Sequence, residues 1–264
     1  MKIKDITALI EQYAPLRLQE EWDNTGMQVG DPEAVATGAL LCTDATEAVV
    51  AEAVKRGWNL VISHHPLIFH GLKKIIGATP TERTVLAAIK HGVAVYSAHT
   101  NMDNAPQGVS WRMAQKLGMT RIECLDPHPV ADMDIGTVAG GGVVGDIEPT
   151  PARQWLEQVK QAFEVGAVRC SGNLDQTLTR VALCGGSGAF LIGKAVEHGA
   201  QVFVSADMRY HELLDNNPRI LLADIGHYES EHYTKEIFLE IIQKKYPTFA
   251  TAFASDEKNQ IKYL

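Results

Sequence analysis

Two stretches of this chain repeat one another: Thr37–Ser63, TGALLCTDATEAVVAEAVKRGWNLVIS, and Thr179–Ser205, TRVALCGGSGAFLIGKAVEHGAQVFVS. Offset by 142 residues they align without a gap. They share seven identities in 27 positions: Thr37/Thr179, Leu41/Leu183, Cys42/Cys184, Ala53/Ala195, Val54/Val196, Gly57/Gly199 and Ser63/Ser205. Unrelated sequences of ordinary composition would share about two. In the first copy the apolar runs Ala39–Cys42 and Leu60–Ile62 have strand length. Between them Ala45–Lys55 has helical periodicity and Gly57 is placed to end it. Shared periodicity would make any two such units look alike, but it does not explain paired cysteines in an ungapped register. The repeat predicts an α/β fold of two similar lobes, with mixed sheets flanked by helices.

The same grammar extends outward. Ile3, Ile6, Ile10 and Tyr13 sit at helical spacing, and Trp22–Gly30, rich in turn residues, reads as a loop. A helix over Thr81–Lys90 leads to an apolar strand, Val93–Tyr96, and Ile220–Ala223 takes that role in the second copy after a shorter connection. Between the copies, Pro127 and the cluster Gly140-Gly-Gly142 read as a connecting segment. Thr150 and Pro151 read as the N-cap and first residue of a helix. A last helix is expected from Glu229 to Lys244, with Ile237, Phe238, Ile241 and Ile242 as its buried stripe. The division this implies is a first lobe over 1–126 and a second over 127–264, with the C-terminal helix free to pack back on the first.

Composition excludes several classes of function. The chain has 264 residues, 45% hydrophobic and 21% charged, which is ordinary for a globular protein. Its formal charge of −8 opposes non-specific attachment to nucleic acid or anionic membrane, since both depend on neutralising phosphates. Charge interrupts the N-terminal stretch, and no apolar run approaches the ~20 residues of a membrane span. A cytoplasmic protein is expected. The four cysteines show no C-x-x-C spacing, so neither a zinc ribbon nor a thioredoxin-like motif is indicated.

Histidines and carboxylates cluster where α/β proteins bind ligands, just past strand ends. His64-His65 follows Leu60–Ile62 directly. Their side chains would point apart in extended backbone, which suits two metal ions better than one. A histidine and a carboxylate follow each third strand, His99 with Asp103 and His227 with Glu231. In a helical turn the second pair would share one face. The set His64, His65, Asp103, His227 and Glu231 offers nitrogen and carboxylate donors suited to Zn, Mn, Fe, Ni or Co, without the oxygen-rich shell of a calcium site. A carboxylate bridging two ions is the usual core of a two-metal hydrolytic centre. His99, Asp207 and His211 are candidates for proton transfer or substrate contact. The glycine-rich Cys184–Gly188 lacks both the G-x-G-x-x-G and Walker patterns, so a tight turn is expected there, with phosphate binding the lesser reading.

Four segments together resemble one family. They are Trp22-Asp-Asn-Thr-Gly-Met-Gln-Val-Gly30, Ser63-His-His-Pro66, Ala98-His-Thr-Asn-Met-Asp103 and Gly226-His-Tyr-Glu-Ser-Glu231. In this order they are similar to the GTP cyclohydrolase 1 type 2 homologues, the YbgI-like or Nif-three-like family. The resemblance covers nearly the whole chain, although Ser205-Ala-Asp207 stands where Thr-Gly-Asp is more usual. It implies two α/β lobes with a dinuclear metal site in the cleft between them, assembled as a toroidal homohexamer. It also implies that His65 and Asp103 hold one ion, His64 and His227 the other, and that Glu231 bridges. The function so implied is a metal-dependent hydrolase acting on a purine nucleotide or related small molecule. The alternative is a metal-binding or metal-delivering protein without turnover, or a hexameric scaffold with structural metal.

Overall fold

The computed structural model describes residues 1–128, 138–255 and 257–262. Within them the chain begins with α1 (Ile3–Tyr13), β1 (Gly26–Val29), β2 (Ala39–Cys42), α2 (Glu47–Lys55), β3 (Leu60–Ser63), α3 (Pro80–His91) and β4 (Ala94–Ser97). It continues with α4 (Thr100–Asp103), α5 (Val109–Lys116), β5 (Thr120–His128), β6 (Ala139–Pro151), α6 (Ala152–Ala162), β7 (Arg169–Ser171) and β8 (Thr177–Ser187). The remainder is α7 (Ile192–Glu197), β9 (Val202–Ala206), α8 (Tyr210–Asp215), β10 (Leu221–Asp224), α9 (His227–Glu231), α10 (Thr234–Lys245) and β11 (Thr251–Phe253). Two compact units result. The first combines Met1–Met102 with His232–Gln260, and the second contains Asp103–Glu231.

In the first unit five strands lie in the order β1-β4-β3-β2-β11, parallel except for β1. In the second, six strands lie in the order β5-β6-β8-β9-β10-β7; β8, β9 and β10 are parallel and their neighbours antiparallel. The expected duplication is therefore present in order, direction and register. Each unit has three parallel strands beginning with the repeat, and an antiparallel strand beside the third. Ala39 faces Leu60 in one sheet, and Val181 faces Val202 in the other, each pair displaced by the same 142 residues. Thr37 donates through its amide and hydroxyl to Asn59 Oδ1, and Thr179 does the same to Gln201 Oε1. Leu40, Cys42, Val49, Val50, Ala53 and Val61 lie in the first core. Their counterparts Ala182, Cys184, Leu191, Ile192, Ala195 and Phe203 lie in the second. Strands covered by helices on both faces must be apolar throughout, which is why these segments read as unbroken hydrophobic runs.

Local chemistry sets the helix ends. Thr46 accepts a hydrogen bond from Val49 N and starts α2 two residues after the expected Ala45. Thr79 caps α3 in the same way through Glu82 N. Thr150 does not cap α6: its hydroxyl donates to Glu148 O, Pro151 still ends β6, and the helix begins at Ala152. Trp22–Gly30 is not all loop, since Gly26–Val29 pairs with β4 as β1.

The expected division at 126/127 falls inside β5, whose Cys124, Asp126 and Pro127 pair with Val143, Gly141 and Gly140 of β6. The compact units do not coincide with it. Gly140 marks close strand contact there, because a Cβ would stand 2.1 Å from Asp126 O. Helix α10 belongs to the first unit, where it packs against α1.

Candidate metal centre

Three histidines converge in the first unit. The backbone past β3 stays tied to the sheet, with His64 N bonded to Cys42 O at 3.1 Å and His65 N to Thr43 O at 2.9 Å. Ser63 Oγ donates to His65 O at 2.8 Å and folds the segment into a bend. The two rings do not point apart as extended backbone would require; their centroids lie 5.0 Å apart. His99 joins them, its ring 5.4 Å from His64 and 5.5 Å from His65. One ring nitrogen from each of the three lies within 4.8 Å of the others, close enough to serve one ion or two neighbouring ions.

Each ring is aimed by an acceptor at Nδ1. His64, fully buried, donates to Ala98 O at 2.9 Å. His65 Nδ1 meets Asp44 Oδ1 at 2.9 Å, and His99 Nδ1 meets Asp23 Oδ1 at 2.8 Å. A carbonyl or carboxylate can only accept, so the proton sits on Nδ1 and the lone pair on Nε2. Holding the second nitrogen of a metal-binding histidine in this way is the usual means of orienting it. Asp23 also accepts from Thr100, through its amide at 3.1 Å and its hydroxyl. Burial raises the Asp23 pKa, but the bonds from His99 and Thr100 outweigh it and hold the carboxyl at about 2. Asp23 and Asp44 were not singled out from the sequence. The available signal was position: Asp44 stands two residues past the end of β2.

The second unit holds a histidine and carboxylates of its own. His227 opens α9 and Glu231 closes it, so i and i+4 share a face as expected, with His227 Nε2 3.0 Å from Glu231 Oε2. At its other nitrogen His227 meets Asp207 Oδ2 at 2.6 Å. That contact makes Asp207 the orienting group of His227. Asp207 has a left-handed backbone, φ 56°, and the turn is braced from behind. Asp224 accepts Met208 N at 3.1 Å and Arg169 Nη1 at 3.2 Å, while Arg169 Nη2 donates to Met208 O.

Glu231 is almost fully buried above Gly186, where a Cβ would stand 2.1 Å from Oε1 and 3.5 Å from His227 Cε1. Glycine is thus required to seat this carboxylate. Asp103 ends α4. Burial lifts the Cys184 thiol well above its ordinary pKa, and the charges of Asp103 and Glu231 lift it further, so both carboxylates bear on that cysteine. His211 lies exposed on α8, its ring 5.3 Å from Tyr210.

Two details of the expected correspondence between copies change. Ala98 N bonds to Ser63 O, and Ile225 N bonds to Ser205 O, so Ala98 matches Ile225 and His227 matches Thr100 rather than His99. Gly185 and Gly186 belong to the end of β8, and Gly188 follows it. The two strand amides are taken by hydroxyls, Gly185 N by Ser110 Oγ and Gly186 N by Ser230 Oγ, so these two are not free to cradle a phosphate.

The donors are imidazole nitrogens and carboxylate oxygens, a set that fits divalent transition metals or zinc. Among the described residues, no helix is long and apolar enough to cross a membrane.

Comparison with known proteins agrees with the fold. A Lactococcus lactis protein named GTP cyclohydrolase 1 type 2 homolog is 35% identical over 269 residues, covering 100% of this chain and 99% of its own. A Clostridium perfringens protein of the same name is 34% identical, covering 88% of this chain and 87% of its own. Among solved structures, a Bacillus cereus protein related to NIF3 has a TM-score of 0.90 at 24% identity, covering 100% of this chain and 99% of its own. The profile of the Duf34/NIF3 (NGG1p interacting factor 3) family matches residues 1–260, and the chain belongs to that family.

Proposed function

We propose that this protein is a metal-dependent hydrolase in which His64, His65, Asp103, His227 and Glu231 together hold two divalent ions. The common orientation of its histidines supports this: His64, His65 and His227 are each fixed at Nδ1, so that Nε2 is the coordinating nitrogen. Ions held by such a set bring the pKa of a water near neutrality. The protein's own groups supply aim and proton handling. Asp44, Asp207 and the Ala98 carbonyl set the rings. His99 accepts a proton at Nε2 while Asp23 holds the resulting imidazolium, the role a buried carboxylate plays behind a catalytic histidine. Placing His65 and Asp103 on one ion, His64 and His227 on the other, and Glu231 between them follows the family likeness, as does the homohexamer. The name carried by the relatives makes a purine nucleotide the first substrate class to try.

Elemental analysis of the native protein gives metal per chain. A panel of nucleotides and phosphoesters, run with each candidate metal restored, tests turnover. Hydrolysis of a nucleotide is expected, falling ~100-fold or more in His99→Ala, a typical general-acid–base contribution, with the metal retained. No turnover across the panel by fully metallated protein would replace the enzyme with a metal carrier.

A further inference from the structure

Beside the histidine cluster of the first unit stand two aromatic rings that the proposed chemistry does not use. Trp22 is 60% exposed and Phe69 40% exposed, although both are large apolar side chains. Their centroids lie 5.8 Å apart at 58°. Each also stands against His99, Trp22 at 6.1 Å and Phe69 at 6.2 Å, both near edge-on. A continuous run of rings thus leads from solvent through His99 to His64 and His65.

The loops that carry the two rings are fixed to each other. Asn24 Nδ2 donates to Ile68 O at 2.6 Å, and Ile68 N donates to Gln28 Oε1 at 3.2 Å. Asp23, next to Trp22, is bonded to His99 and Thr100. Exposed rings on fixed loops are pre-organised for a ligand, since the entropy of ordering them is spent during folding. Two aromatic side chains present at most about 300–500 Å². A stable protein partner needs about 800 Å² on each side, so the pair suits a small planar ligand better than a macromolecule.

We infer that Trp22 and Phe69 form a stacking platform for the planar heteroaromatic ring of a small ligand whose remainder reaches the histidine cluster. This rests on the metal-dependent reading of the site. Every base has a π face to stack, so the platform selects for a ring and not for one particular base.

The test uses full-length protein loaded with Zn(II) or Mn(II), with calorimetric titration of guanosine 5′-monophosphate, cytidine 5′-monophosphate and ribose 5-phosphate. Ribose 5-phosphate keeps the sugar and phosphate but lacks the ring. Both nucleotides are expected to bind more tightly than ribose 5-phosphate. Trp22→Ala should weaken them roughly tenfold, Trp22→Tyr should retain affinity within about threefold, and neither should change ribose 5-phosphate binding. The proposal is overturned if wild-type protein binds neither nucleotide, if all three probes bind alike, or if Trp22→Ala leaves nucleotide affinity unchanged. It is overturned too if Trp22→Ala shifts the sedimentation of the protein, which would assign the rings to a second copy. Metal per chain, measured in every sample, judges the hydrolase reading separately: protein that holds no metal but still stacks nucleotides loses that reading and keeps the platform.

Discussion

The proposed bridge turns on one residue, Glu231. It is buried, 3.0 Å from His227, and seated where only glycine at 186 leaves room. If its carboxylate lies between two ions, Glu231→Ala removes a donor from each and leaves their mutual repulsion unshielded. His64→Ala removes a donor from one ion only. Mass spectrometry should find most of both metals lost from the first variant and close to one ion per chain in the second, with a melting curve confirming the fold. Gly186→Ala should follow Glu231→Ala, because the added methyl displaces the carboxylate; a folded Glu231→Ala protein that kept two ions would refute the bridge. At this scale the sequence was informative about donors and silent about what aims them. His64, His65 and His227 stand at strand ends or a helix entrance, where position itself carries meaning. Asp44 is 21 residues from His65, and Asp207 is 20 from His227. Neither pairing has a periodicity to betray it; only the folded sheet creates it.

The repeat's strands, with both faces covered, were legible, whereas short edge strands and the glycine-bearing interior strand β6 were not. Strands β2, β3 and β4 are buried at every position and are dense in apolar residues. By contrast β7 and β11 are short and half-exposed, and β1 lies among turn residues, so no hydrophobic pattern marks them. Helix α3 shows what caps contribute. Thr79 Oγ1 accepts Glu82 N, and Glu82 Oε2 accepts the amides of Ile76 and Ala78. Thr79→Ala should cost about 1 kcal/mol in chemical denaturation. The amides of Ile76 and Ala78 hold the Glu82 carboxyl below its ordinary pKa. Its contribution is therefore complete above the ordinary carboxylate range and is lost as pH falls through the depressed value. The difference in stability between wild type and Glu82→Gln, followed by denaturation from neutral to acid pH, should shrink in that direction. A gap constant down to acid pH would contradict it.

For the whole molecule, the proposed metal donors divide between the two compact units. His64 and His65 belong to one, and Asp103, His227 and Glu231 to the other. A fragment spanning 103–231 contains a complete sheet but only the second set. Titration with Zn(II) against a chromophoric chelator should show it binding at least about tenfold more weakly than the full chain. Equal affinity would make the site local to that unit. The repeat announced two units, yet their boundary was not legible. Proline and glycine mark connections only on average, and here Pro127 and Gly140 lie opposite each other in a strand pair.

Strand β11 ties the first sheet to a segment made much later in synthesis. It pairs with β2, Thr251 opposite Ala39, more than two hundred residues away. At the ~5–20 residues per second of synthesis, β2 waits roughly 10–40 s for this neighbour. Throughout that interval a strand made only of buried apolar residues, Ala39–Cys42, presents an unpaired parallel edge. A ribosome that stalls before Thr251 therefore releases a nascent product with an adhesive seam, and surveillance of such products falls to chaperones and proteases rather than to the fold itself.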